Sequence, residues 1–188
     1  MRGIKTSGLA AAVLGIMAAS NASAAIIITE VDPSGSGNSS AGVDWFELTN
    51  TGTSSVSTSG WKMDDSSSSF NSAVAMSTLS IGAGESVVFL EGSSSDVAAF
   101  QSEWNLASSV QVGYYSGSGV GLSTSGDGVT VFNSSGVQQA KVTFGASTDK
   151  KGYATFDNTA ELDNVTLGTF SVVGVNGAYL SSDGDIQG

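Results

Sequence analysis

The sequence predicts an all-β fold, a sandwich or a barrel, with one short helix. Short apolar runs of strand length recur roughly every ten residues, and Ser- and Gly-rich stretches separate them, which is the spacing typical of such folds. Only 12% of the residues are charged, so serine, threonine and glycine supply most of the polarity. The length of 188 residues suits an export segment followed by one domain.

The first 24 residues predict a signal peptide. Arg2 and Lys5 form a positive start, residues 9–19 are apolar, and residues 22–24 (Ala-Ser-Ala) form a cleavage site. The apolar run is too short to span a bilayer comfortably, although an uncleaved anchor helix is the alternative, and no second run of spanning length follows. The expected product is therefore secreted, to the periplasm, the cell surface or the medium. Its predicted domain is residues 25–188, with a core at 25–145 and a polar C-terminal part at 146–188.

Apolar runs in the first half of the domain predict strands or strand pairs. They lie at residues 26–31, at 43–50, at 56 and 61–63 (one short strand or a pair), at 76–81 and at 86–90, and a serine-rich loop is predicted at residues 64–73.

The pattern within two of these strands indicates which faces are buried. In the second strand, Phe46 and Leu48 share one face, whereas Trp45 and Glu47 share the other. Residues 86–90 are apolar without alternation, which is typical of a strand that is buried on both faces.

One helix is predicted after residue 94. Ser95 or Asp96 can cap its first turn with a side-chain oxygen. Val97, Phe100 and Trp104 then fall on one helical face. We interpret this face as core packing, and a groove for a partner is the alternative.

A β-hairpin is the clearest local structure in the second half. Residues 128–132 and 137–144 flank the turn sequence Asn-Ser-Ser-Gly at 133–136. The second of these strands alternates apolar and polar residues, which predicts one solvent-facing side. The remainder is polar, with one strand-like piece at residues 170–175.

The composition excludes several classes of chemistry. The chain contains no histidine and no cysteine, so histidine-dependent triads, histidine-ligated zinc and thiolate catalysis are absent. Removing the signal peptide takes away two basic residues and changes the formal charge from −11 to −13. An acidic surface repels phosphate backbones, so direct binding of nucleic acid is not expected.

Carboxylates are the remaining candidates for chemistry. Glu30 and Asp32 share a face of the first strand, Asp44 and Glu47 lie on the next, and residues 64–65 (Asp-Asp) follow. If these strands are neighbours, Glu30, Asp32, Asp44 and Glu47 become candidate calcium ligands, because calcium prefers oxygen donors. Ordinary surface charge is the alternative, since no calcium-loop motif is present.

Two alternatives involve catalysis. Paired carboxylates could act as acid and base in glycoside hydrolysis, but nothing in the sequence sets their separation. A Ser–Lys pair using Lys62 or Lys141 is disfavoured because both lysines lie in strands with solvent-facing periodicity. The sequence therefore predicts a protein that is not an enzyme and has no cofactor other than the candidate calcium.

The order of these segments resembles the lamin-tail domain in its secreted bacterial form. The resemblance is carried by residues 27–31 (Ile-Ile-Thr-Glu-Val), 44–50 (Asp-Trp-Phe-Glu-Leu-Thr-Asn), 59–65 (Ser-Gly-Trp-Lys-Met-Asp-Asp), 79–90, and 121–132, followed by the hairpin. It implies an immunoglobulin-like β-sandwich and a non-catalytic module of the kind attached to secreted nucleases, phosphatases or surface proteins.

The resemblance also bears on individual residues. No catalytic residue is carried over, and the family positions that fall on Glu30, Trp45, Glu47 and Leu48 are interpreted as structural. We expect Glu30 and Glu47 to satisfy loop amides and Trp45 to cover a sheet face. Because such modules commonly close with Gly-Ser-Pro-Gly, we hypothesise that a further tail or domain follows residue 188.

These observations together predict an exported, non-catalytic lamin-tail-like module with a structural, adhesion or attachment role at the cell surface or in the extracellular matrix. Its expected partners are a protein or a surface polysaccharide. The alternative is a calcium-dependent carbohydrate-binding or accessory module of a secreted hydrolase.

Overall fold

The apolar runs form strands in the computed structural model of the chain, which describes residues 25–33, 43–147, 155–175, 178–182 and 186–187. The predicted signal peptide, residues 1–24, lies outside the described residues. The elements are β1 (Ile26–Asp32), β2 (Trp45–Asn50), β3 (Val56–Ser57), β4 (Lys62–Asp64), β5 (Val74–Ala75), β6 (Ser80–Ile81), β7 (Ser86–Glu91), α1 (Val97–Glu103), β8 (Val112–Tyr115), β9 (Asp127–Phe132), β10 (Gln138–Phe144), β11 (Phe156–Asp157), β12 (Val165–Leu167), β13 (Thr169–Phe170), β14 (Tyr179–Leu180) and β15 (Ile186–Gln187).

Two sheets contain most of these strands. One has six strands in the order β13-β11-β1-β2-β7-β8, and the other has five in the order β12-β10-β9-β4-β5. Neighbours are antiparallel except for the pairs β7–β8 and β10–β12. Apolar residues of both sheets share one core, so the two sheets form a sandwich. This confirms the predicted immunoglobulin-like β-sandwich with one short helix. None of the described helical residues forms a helix that is long and apolar enough to cross a membrane.

The core between the sheets is built from alternate strand residues. The six-stranded sheet contributes Phe46 and Phe89, whose stacked rings have centroids 5.8 Å apart, and the five-stranded sheet contributes Met63 and Val131. Gly113 of β8 lies beside Phe89 in register, and a Cβ there would overlap the Phe89 ring. Glycine at this position therefore lets β8 complete the sheet beside a large aromatic side chain.

A β-bulge changes the face that β1 presents to the core. The pairing with β2 shifts by one residue between Ile28 and Glu30, so Thr29 is an extra residue in the strand. In a regular strand Glu30 would share the core face of Ile28. Because of the bulge, Val31 takes the next core position instead, and Glu30 faces outward with Thr29.

The helix α1 packs on the outer face of the six-stranded sheet, which confirms the predicted core role of its apolar side. Phe100 and Trp104 join a second buried cluster with Trp45, Leu90 and Val112. β7 is accordingly buried on both faces, as its apolar run predicts.

The N-terminus of α1 differs from the expectation in one detail. Asp96 occupies the cap position, but its carboxylate accepts hydrogen bonds from the backbone N–H and the hydroxyl of Ser93 rather than from the first turn. The cap residue is therefore predicted correctly, whereas its partner is not.

The predicted hairpin forms between β9 and β10. The Asn133 side chain accepts hydrogen bonds from the backbone N–H groups of Ser135 and Val137, and Gly136 adopts a φ of 76°, which favours glycine. β10 alternates between buried and half-exposed residues as predicted. The outer side of β9 is instead covered by the serine-rich loop (residues 64–73), since Thr130 is buried there and hydrogen-bonds to Ser68.

Two predicted strands are wrong in extent. Residues 76–81 do not form one strand, because the Thr58 hydroxyl donates to the carbonyl of Ser77 and accepts from the N–H of Leu79, which replaces ladder bonds there. Residues 170–175 leave the sheet after Phe170, because the chain turns through Gly174 at a φ of 81°. The C-terminal part nevertheless contributes strands to both sheets and the buried side chains of Phe156 and Leu167.

The shared core predicts the effect of removing one central ring. Because Phe89 is fully buried, we expect Phe89→Ala to lower the free energy of unfolding by about 3–5 kcal/mol in urea denaturation. The control Val137→Ala removes methyl groups from a side chain that is 57% exposed, so its change should stay within about 0.5 kcal/mol. Equal losses in the two variants would contradict the described core.

A candidate binding cleft on the six-stranded sheet

One row of side chains crosses the outer face of the six-stranded sheet. In register, Asp157 of β11 lies opposite Glu30, Glu30 opposite Glu47, Glu47 opposite Val88, and Val88 opposite Val112. The row therefore changes from three carboxylates on β11, β1 and β2 to two valines on β7 and β8. Its apolar end runs beneath α1, whereas its acidic end is left uncovered by the helix.

Hydroxyl groups hold the carboxylates at the acidic end. The Thr155 and Ser171 hydroxyls donate to Glu30, the latter at 3.1 Å, and the Thr29 hydroxyl donates to Glu47 at 2.5 Å. The expectation that Glu47 satisfies loop amides is therefore wrong, since its described donors are side-chain hydroxyls on neighbouring strands. Both side chains are thus held in fixed positions on the sheet surface.

Burial has an electrostatic consequence at Glu47. Loss of solvent raises the pKa of its carboxyl above the ordinary value of 4.5, and the charge of Asp157 raises this pKa further. Hydrogen bonds from the hydroxyls of Thr29, Ser86 and Thr49 act in the opposite direction without cancelling the increase. The ionised form of Glu47 is therefore less favourable in the folded protein than in the unfolded chain.

A cleft of about 170 Å³ lies at the apolar end, between α1 and the sheet. Its lining is Glu30, Trp45, Glu47, Ser86, Val88, Phe100, Trp104, Leu106, Val110, Gln111 and Val112. A more open depression of about 400 Å³ continues over the acidic end and shares Glu30, Glu47 and Ser86 with the cleft. The two together form one continuous amphipathic groove, which we call the α1 cleft.

The structure divides the four candidate calcium ligands into two pairs. Glu30 and Glu47 lie together in the α1 cleft. Asp32 lies opposite Trp45 at the end of β1, and Asp44 precedes β2, where its carboxylate accepts a hydrogen bond from the N–H of Leu122 at 2.6 Å. No group of three or more carboxylates among the described residues is placed to hold a metal ion. Calcium binding itself is untested and stays a prediction.

Asp32 and Asp44 share their end of the sandwich with a buried tyrosine. Burial raises the pKa of Tyr115 well above its ordinary value, and the charges of Asp44, Glu91 and Asp32 add to the increase. The Tyr115 hydroxyl has no hydrogen-bond partner in the described part of the chain. This end therefore keeps a neutral phenol below several carboxylates and is separate from the α1 cleft.

The aspartates of residues 64–65 do not join these groups. β4, which ends at Asp64, belongs to the five-stranded sheet and is not a neighbour of β1 or β2, so the condition for these carboxylates to gather is not met. Sequence reasoning also missed Asp157, Thr155 and Ser171. Asp157 lies in β11, which pairs with β1 across more than a hundred residues, Thr155 directly precedes β11, and Ser171 follows β13, the next strand in the sheet. No local pattern signals such a pairing.

The raised pKa of Glu47 gives a stability prediction with a definite sign. Because the folded state binds this proton more tightly, Glu47 stabilises the fold most at low pH, and this contribution is lost as the pH rises from about 4.5 through the folded pKa. We expect the stability of the wild type minus that of Glu47→Gln to fall over this range in urea unfolding between about pH 4 and pH 7.5. A difference that stays constant or grows with pH would contradict the assignment.

Comparison with known families agrees with this architecture. A family model described as the Lamin Tail Domain matches residues 19–146, which is about two thirds of the chain. A search of curated proteins finds no match. The matched range includes β1, β2, β7, α1 and the β9–β10 hairpin, which build the sandwich and most of the α1 cleft. The chain belongs to the lamin tail domain family.

Proposed function

We propose that this lamin tail domain is an exported module that attaches to a partner at the cell surface or in the extracellular matrix. The family consists of immunoglobulin-like structural domains that are generally non-catalytic, which supports a role in binding rather than in turnover. The predicted signal peptide supports export. The expected partner is a protein or a surface polysaccharide.

The observation that carries the proposal is that the serine-rich loop is held rigidly against the five-stranded sheet. The Asp64 carboxylate accepts hydrogen bonds from the hydroxyl of Ser67 at 2.5 Å and the N–H of Ser69 at 2.7 Å. Asp127 of β9 accepts one from the N–H of Ser66 at 3.0 Å. The carboxylates of Asp64 and Asp127 thus hold the loop against the sheet. Its serine-rich composition alone would be typical of a flexible linker.

Phe70 anchors the middle of the same loop. Its ring meets Phe132 edge-on, with centroids 5.7 Å apart, and the Lys62 ammonium lies 4.8 Å from the Phe70 centroid. The loop therefore has an apolar contact below it and leaves Ser66, Ser67, Asn71 and Ser72 exposed.

A fixed loop of polar side chains suits recognition of a hydrogen-bonding surface. Ordering one residue of a flexible loop costs roughly 1–2 kcal/mol of conformational free energy. A loop that is already ordered in the free protein does not lose this free energy when it binds a partner. The exposed hydroxyl and amide groups match the donors and acceptors of a polypeptide or a polysaccharide.

The loop makes a testable prediction about attachment. Purified protein is expected to co-sediment saturably with cell envelopes of the producing organism, and Phe70→Ala should weaken this binding about tenfold by releasing the loop while leaving every exposed hydroxyl in place. Leu162→Ala, which changes an exposed residue outside the loop, is the control and should bind as the wild type does. Wild-type protein that stays in the supernatant would reject the attachment role, and unchanged binding of Phe70→Ala would reject the loop as the contact.

The calcium-dependent alternative is favoured by one observation, the direct pairing of Glu30 and Glu47 across β1 and β2. It predicts that millimolar calcium raises the melting temperature of the wild type and not that of Glu30→Gln. Attachment through the serine-rich loop predicts no rise in either protein. Calorimetry with calcium and with magnesium as the control distinguishes the two.

A further inference from the structure

We propose that the α1 cleft binds a basic side chain of a partner polypeptide, with the alkyl part against Val88 and Val112 and the charged end at Glu47. This inference rests on the attachment role and names the chemistry of one contact. Its basis is the shape of the cleft, the order of the side chains in it and their charge.

The first argument is shape. The apolar part of the row spans β7 and β8, and adjacent strands lie about 4.8 Å apart, so it matches the length of a lysine or arginine side chain. Trp104 and Leu106 close the cleft from the helix side. The apolar part of the α1 cleft, between the helix and the sheet, has a volume of about 170 Å³, which suits one alkyl chain rather than a bulky group.

The second argument is the order of chemistry along the row. Lysine and arginine bury their alkyl stems against apolar surface and keep the charged group at a polar boundary. The side chains of the α1 cleft follow the same spatial order, from apolar to charged, because Val112, Val88 and Glu47 are successive register partners across the sheet. Asp157, two strands beyond Glu47 on the same row, extends the negative potential outward.

The third argument is charge complementarity. The described basic residues are Lys62 and Lys141, and both belong to the five-stranded sheet rather than to the lining of the α1 cleft. Burial makes the ionised form of Glu47 unfavourable, and the negative charge of Asp157 adds to this effect. A cation arriving at Glu47 would relieve both effects, because it would replace the lost solvation and offset the charge of Asp157.

The same geometry disfavours a sugar at this position. Trp45 and Trp104 are only 3% and 4% exposed, and they pack edge-on against each other with centroids 6.5 Å apart. Their faces are therefore not available as a stacking platform for a pyranose ring. A narrow alkyl cation fits where a ring does not.

The test uses the three tryptophans of the chain as reporters. Trp45 and Trp104 line the α1 cleft, whereas Trp61 lies in the core between the sheets and serves as an internal control. The purified protein is titrated with N-acetyl-lysine N-methylamide while the indole N–H signals are followed by two-dimensional NMR. The matched neutral probe is the same compound acetylated on Nε.

We expect saturable shifts of the Trp45 and Trp104 signals with the charged probe, no shift of the Trp61 signal, and no saturable shift with the neutral probe. Glu47→Gln should weaken binding at least about tenfold, because it removes the charge that the ammonium meets. Asp163→Asn removes one charge from an exposed position near β12 and should bind within about twofold of the wild type. Raising the salt concentration should weaken the binding.

The inference would be overturned by absence of both indole shifts, by equal binding of the neutral probe, or by wild-type affinity in Glu47→Gln. Calcium chloride that shifts the same two signals at lower concentration than the probe would also overturn it, in favour of a metal site. Envelope binding is measured separately, so failure here with intact co-sedimentation rejects the α1 cleft alone. Failure of both rejects the attachment role on which this inference rests.

Discussion

The β-bulge at Thr29 is the constraint on which the outer surface of this lamin tail domain depends. One extra residue lets Ile28 and Val31 both enter the core, although they are three positions apart, and it turns Glu30 to the outside. Without the bulge, a carboxylate would occupy the space between the two sheets, where an unpaired charge is strongly unfavourable. The bulge therefore keeps the carboxylate of Glu30 out of the apolar core, and it brings Glu30 opposite Glu47.

The helix α1 covers only one part of the outer face of the six-stranded sheet. α1 covers β7 and β8 because Trp45, Leu90 and Val112 face outward and must be buried, and it leaves β1 and β11 uncovered. An apolar strip and an acidic strip consequently meet along one row of register partners. On the five-stranded sheet a loop takes the place of a helix. The serine-rich loop covers the outer side of β9 and is anchored there by Phe70 and Asp64. The outer faces of the two sheets are thus covered in different ways, one by a helix and the other by a loop.

Local features of this molecule could be predicted from the sequence, and long-range ones could not. The two faces of β2, the apolar side of α1 and the β9–β10 hairpin all follow from side-chain periodicity over a few residues. The pairing of β11 with β1 does not, because it joins segments more than a hundred residues apart and places Thr155 and Asp157 beside Glu30. The bulge was also beyond prediction, since a single extra residue leaves the composition of a strand unchanged. For the same reason the candidate calcium set combined residues that the structure separates.

The most direct test of this account is the register of β1 against β2 in solution, read from cross-strand NMR contacts between backbone protons. The account predicts that Ile28 pairs with Leu48 and that Glu30 pairs with Glu47, with Thr29 unpaired between them. An uninterrupted register, with Thr29 opposite Glu47 and Glu30 opposite Phe46, would contradict it. In that case Glu30 would face the core, and the row of carboxylates that defines the α1 cleft would not exist.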